Sequence, residues 1–145
     1  MNLPDDIAAW DSRDLTHINR VYADHADRPD FIPALIARCT SEAHQDGATW
    51  LFKHAIDEGD LVPEAIDPDL LVSFCDALPH LTRWPAQLHA LQILAMIPIP
   101  RSCASSAGSF ARSCTTSRKT FVRAWSYTVL FCATKHDPKE HAMTV

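Results

Sequence analysis

Between its prolines this chain repeats one pattern, apolar residues at helical spacing, and that pattern admits few folds. Leu15, Ile18, Val21 and Tyr22 share a helical face in the segment from Asp11 to His25, which Arg28-Pro29 closes. Phe31, Ile32, Leu35 and Ile36 follow, with Pro33 inside the first turn, where a missing N–H costs little, and predict a helix over 30–41. Leu51, Phe52, Ala55 and Ile56 line a third segment beside Trp50, ended by Gly59, where a left-handed residue is wanted. Leu70, Leu71, Phe74, Cys75 and Leu78 form a fourth between Pro68 and Pro79, and Leu88, Leu91, Ile93, Leu94 and Ile97 a fifth between Pro85 and Pro98. Ten prolines against three glycines suit punctuated helices and leave too little glycine for a β-rich or phosphate-cradling protein.

The boundaries carry their own signals. Ser12 is the expected N-cap of the first helix, after a loose terminus, and Asp30 that of the second. Asp46-Gly47 reads as a turn or cap before a helix over 48–58, and residues 60–67 form the longest connection. The segment 101–116 is rich in Ser, Ala and Cys, has Gly108 at its middle and offers only Phe110 as a large anchor, so its helix is marginal. In Lys119–Lys135, by contrast, Phe121, Trp125, Thr128 and Cys132 form one stripe and Val122, Val129 and Ala133 another, the mark of a helix buried on more than one side.

With 145 residues, 47% of them hydrophobic and 21% charged, the chain is expected to form one globular domain over 1–145. No export signal and no membrane-spanning run stands out, so a cytoplasmic location is expected, and five cysteines without a CxxC pair are expected to be reduced core thiols. The net charge of −5 hides an asymmetry: residues 1–76 hold 16 Asp and Glu against 5 Lys and Arg, whereas residues 77–136 hold 7 basic residues and no acidic ones.

Taken as pairs, 30–41 with 46–57, 68–79 with 84–97 and 102–115 with 119–135, the helices recur at about the period of two-helix repeats. Each hairpin leaves one apolar face that a neighbour must cover. The expected fold is all-α, an αα-superhelix of about three helical hairpins behind an N-terminal capping helix. Thr120-Phe-Val-Arg-Ala-Trp-Ser-Tyr-Thr-Val-Leu resembles the second helix of a HEAT or armadillo-like repeat, where a Val-Arg pair precedes a small residue and an apolar pair. The resemblance covers 28–136 as a pattern and 115–133 as a motif. It implies that Val122 and Ala124 pack between hairpins and that Arg123 braces the turn. The Thr-Thr-Ser-Arg turn before that helix lacks the acidic partner usual for such an arginine.

Chemistry-bearing motifs are scarce. The sequence contains no phosphate-binding glycine loop, no HExxH and no GxSxG. Its eight histidines supply no three ligands on rigid elements, so no metal and no cofactor is expected. Cys103 and Cys114, near Arg101, Arg112 and Arg118, have the best electrostatic setting for a reactive thiol, against a structural role in the core. His89, beside Leu88, faces either a groove or an interface. Trp84 and Trp125 take corresponding places in successive second helices, where they serve either as packing between repeats or as aromatic walls of a concave surface.

The expected function is that of a non-enzymatic adaptor whose concave face, built from second helices, binds a protein or peptide through Arg83, Trp84, Gln87, Lys119, Arg123 and Tyr127. A second reading is nucleic-acid binding by the basic 77–136 segment. Some helical-repeat proteins of this kind are alkylpurine DNA glycosylases, but an acid-free segment has no carboxylate for their chemistry, so binding alone is the form this reading takes. Homo-oligomer formation through the charge asymmetry is a third.

Overall fold

A computed structural model describes residues 2–117, and within them every regular element is helical. The helices are α1 (Leu3–Ala8), α2 (Leu15–His25), α3 (Phe31–Arg38), α4 (Gln45–Asp57), α5 (Pro68–Ala77), α6 (Trp84–Met96) and α7 (Ala104–Ser117). Single 3-10 turns stand at Pro63–Ala65, Leu78–His80 and Arg101–Cys103. The segment 119–135, including Trp125, lies outside the described residues.

Most boundaries follow local chemistry. Asp67 accepts the amide of Asp69 at 2.9 Å and starts α5 with Pro68 in its first turn. Gly59 closes α4 at a φ of 81°, as its position predicts. Asp30 precedes α3 but makes no side-chain cap bond.

Three boundaries differ from expectation. The terminus is not loose: Asn2 caps α1 by accepting the Asp5 amide at 2.9 Å, and Leu3 and Ile7 are buried. Six residues are too few to show a periodicity. Helix α2 is capped by Asp14, which accepts the His17 amide at 3.1 Å, whereas Ser12 stands at a φ of 70° in the loop before it. Helix α4 begins at Gln45, so Asp46 and Gly47 lie within the helix. Gly47 is there for close packing, because a Cβ at that position would sit 2.7 Å from Cγ2 of Ile7 on α1.

The helices assemble in an alternating order. Helix α4 lies along α6, α3 packs on α4 and α5, and α5 and α6 both reach α7. Two helices, α1 and α2, cover the start of the array and pack on each other and on α4. Phe52 and Phe74 meet edge to face with centroids 5.1 Å apart, and with Leu35, Leu51, Leu91, Ile93 and Leu94 they form the centre of the core. Fully buried Ala86 and Ala90 on α6, and Ala107 and Ala111 on α7, allow close helix approach, and they explain why the serine-rich segment 104–117 is helical despite having only Phe110 as a large anchor. Cys39, Cys75, Cys103 and Cys114 are buried free thiols. Among the described residues no helix is long and apolar enough to cross a membrane.

Candidate functional site

The N-terminal ends of α4 and α6 are joined by one polar side chain. Gln45 is fully buried, and its Oε1 accepts the backbone amides of Thr82 and Arg83 at 2.8 Å each, so a residue of α4 takes up donors that open α6. Arg83 is thereby fixed beside α4, where its Nε donates to Oδ2 of Asp46 at 2.8 Å. That carboxylate, together with the more distant Glu42, raises the guanidinium pKa above its ordinary value. The Ser12 hydroxyl donates to the same Asp46 oxygen at 2.8 Å, linking the α1–α2 loop to the pair.

Above this brace lies a cleft of about 480 Å³. Trp10, Leu15, Trp50, Trp84, Pro85 and Leu88 form its apolar lining, with Ser12, Arg83 and His89 among its polar residues. Trp10 and Trp50 meet at a centroid distance of 6.0 Å and a tilt of 59°, and the Trp10 indole N–H donates to the Asp14 carbonyl at 2.9 Å. Trp50 stacks on His54 at 4.6 Å, and His54 meets the Tyr22 ring edge-on at 4.6 Å. These two tryptophans are thus held by their neighbours. Trp84 is not: it is 53% exposed at the lip of the cleft, facing the same space as Leu15, which is 58% exposed.

His89 contributes an uncharged polar edge. The Thr49 hydroxyl donates to the Gln45 carbonyl at 2.7 Å, so Nδ1–H of His89, 3.0 Å away, donates to the Thr49 oxygen. With the proton on Nδ1, Nε2 carries the lone pair. Burial pushes the pKa of His89 down to about 4, so the imidazole is neutral at pH 7.

A second cleft, of about 500 Å³, adjoins the first and shares Trp10, Asp11, Ser12 and Arg83 with it; Ile7, Glu42, Ala43, Asp46 and Gly47 complete much of its lining.

Comparison with protein-family models, curated proteins and solved structures finds no match to this chain.

Of the residues expected to form a binding face, Arg83 and Trp84 meet in the first cleft. Gln87 does not join them: its amide donates to the Leu81 carbonyl at 2.9 Å, and it lines a separate cleft of about 500 Å³ with Leu78, Pro79, Phe110 and serines of α7. Lys119, Arg123 and Tyr127 lie outside the described residues. Trp10 and Leu15 were not legible as site residues, because only the fold brings the α1–α2 loop over α4 and α6. His89 meets both of its readings: it lines the cleft, and its Nδ1 is satisfied across the α4–α6 interface by Thr49. The thiols are core groups: burial raises Cys39 to about 12, and Cys103 and Cys114 are 3% and 2% exposed. The Ser12 hydroxyl is directed to a carboxylate and His89 Nδ1 to Thr49, so the cleft offers aromatic faces and hydrogen-bonding edges rather than a nucleophile paired with a base.

Proposed function

We propose that this protein is an interaction module that captures a peptide segment of a protein partner in the three-tryptophan cleft. The observation that carries the reading is the convergence of Trp84 and Leu15. Only three large hydrophobic residues are exposed among the described residues, and two of them stand on the lip of one cleft whose wall holds two further tryptophans. Scattered exposed apolar residues need no explanation, but a contiguous aromatic patch rimmed by polar groups is the usual form of a docking surface. Covering the exposed half of Trp84 is worth about 3 kcal/mol at the usual value per unit of apolar area.

The cleft draws on α4 and α6, the second members of the expected hairpins. Packing of α3 on α5 and of α4 on α6 is the order expected of stacked hairpins, and supports a HEAT-like array with its binding face on the second helices. Arg83 has a structural place in this reading, since its guanidinium is engaged by Asp46.

The test is a Trp84→Ala variant of the full chain, compared with the parent by tryptophan fluorescence titration against a library of short tryptophan-free peptides. Because about half of Trp84 is covered in the fold, the change should lower folding stability by about 1–3 kcal/mol, while peptide affinity, measured where both proteins are fully folded, should fall by about tenfold or more. Equal affinity in the two proteins, with unchanged helical circular dichroism, would remove the cleft from consideration.

A further inference from the structure

The two adjoining clefts differ in charge, and the difference specifies the partner. This step rests on the peptide-capture reading above and adds the chemistry of the captured segment. Asp11, Glu42 and Asp46 line the second cleft, and Arg83 is the cation among its lining residues. Arg13 belongs to the first cleft.

Asp46 is 7% exposed, and its Oδ2 receives both Arg83 Nε and Ser12 Oγ. Its Oδ1 is buried and has no hydrogen-bond donor. Closed to solvent, that oxygen cannot take a donor from a ligand; it adds negative charge beneath the cleft, and the carboxylates a ligand can reach are those of Asp11 and Glu42. Oδ1 of Asp11 accepts the amides of Arg13 and Asp14 at 2.8 and 2.9 Å, which hold the carboxyl below its usual pKa and keep it ionised at the boundary between the clefts. Glu42 is exposed on the rim, and no hydrogen bond or ion pair engages it among the described residues.

We infer that the captured segment is cationic: an apolar side chain enters the three-tryptophan cleft, and a neighbouring lysine or arginine lies in the cleft lined by Asp11, Glu42 and Asp46. The shared wall of Trp10, Asp11, Ser12 and Arg83 makes the clefts neighbours, so adjacent side chains of one extended segment can occupy both. The charge is opposite to the one expected from Arg83 alone, because the fold already pairs that arginine with Asp46. The rim carboxylates then act on encounter and on selection, which makes binding sensitive to salt.

The experiment titrates the full chain with three tryptophan-free peptides of equal length, repeats of Pro-Leu-Lys, Pro-Leu-Ser and Pro-Leu-Glu, by intrinsic fluorescence. The lysine peptide should bind at least about tenfold more tightly than the serine peptide and the glutamate peptide least, and its advantage should shrink as salt rises from about 20 to about 300 mM. Glu42→Lys, a change at an exposed position, should remove most of that advantage without altering the circular dichroism. Trp84→Ala should weaken all peptides that bind.

If the serine or glutamate peptide binds as tightly as the lysine peptide while Trp84 is still required, the cationic inference is overturned and peptide capture stands. If no peptide changes the fluorescence and Trp84→Ala alters no binding, both fall. Self-association seen by sedimentation and abolished by Trp84→Ala would make the occupant a second copy of this chain and overturn the choice of a separate partner.

Discussion

A few buried polar side chains determine where the exposed aromatic ones stand. Gln45 is the clearest case, since it is completely buried and its one oxygen takes two backbone amides of the loop that opens α6. Replacing it with alanine leaves those amides without an acceptor at a part-buried helix start, and each orphaned group costs about 1–3 kcal/mol. Gln45→Ala is therefore expected to lower unfolding free energy by about 2–4 kcal/mol in urea denaturation, and to loosen the Arg83–Trp84 corner first, as increased amide exchange at residues 82 and 83. The same logic separates the two residues at that corner. Arg83→Ala would leave Asp46 with only the Ser12 hydroxyl, so a loss of binding in that variant mixes brace with contact, whereas Trp84 reports on contact. Ser12 adds a smaller signal: a non-glycine residue at a φ of 70° is uncommon, and here it directs the hydroxyl onto Asp46 between the two clefts.

Among the elements, α1 depends most on tertiary contacts. It has six residues, too few to be helical alone, and it is held by Leu3 and Ile7 against the array and by the bond of Asp6 to buried His25 on α2, 2.8 Å long. Its approach to α4 needs the bare backbone of Gly47. Gly47→Ala has two opposed effects: alanine raises helix propensity by about 1 kcal/mol, and its methyl overlaps Ile7, which is 1% exposed and has nowhere to move. Overpacking of that kind costs about 1–3 kcal/mol, so net destabilisation is expected. In an Ile7→Ala background the overlap disappears, and the same Gly47→Ala change should become neutral or stabilising by up to about 1 kcal/mol. A double-mutant cycle by thermal unfolding checks this; additive effects would mean that α1 yields at no cost. Because Trp10 follows α1 directly, undocking should also raise the exposure of Trp10 to fluorescence quenchers.

For the molecule as a whole, pH is the most direct handle. His89 has a folded pKa of about 4, while an imidazole in an unfolded chain titrates near its ordinary value of about 6.5. Between those values the unfolded chain binds a proton that the folded chain refuses, so this group's contribution is fully present above pH 6.5 and is lost as pH falls toward 4. From pH 7 to pH 5 the loss is about 2 kcal/mol. The groups acting on the ring are Asp46, which favours its charge, and Lys53, which opposes it, both on α4 with Thr49. His89→Gln should flatten that part of the stability profile measured by urea midpoints; an unchanged slope would place the titration on another group.

How much of this was legible depends on distance along the chain. The all-helical class, the caps at Asp67 and Gly59, and the core identity of Phe52, Phe74, Leu91 and Leu94 are local facts, written in spacing and in turn chemistry, and the sequence alone carries them. So is the place of Trp84 at the start of a helix, though its exposure is not. What the tertiary structure decided is everything that depends on pairs far apart: that Asp46 and Gly47 belong inside α4 because α1 and Arg83 reach them, that Arg83 has its counter-charge, that Gln87 lines a different cleft from Trp84, and that Trp10 and Leu15 come to the lip where Trp84 stands. Periodicity records which face of a helix is apolar. It does not record which face a neighbour will cover, because that is set by the close packing of side chains contributed from segments 30 to 40 residues away.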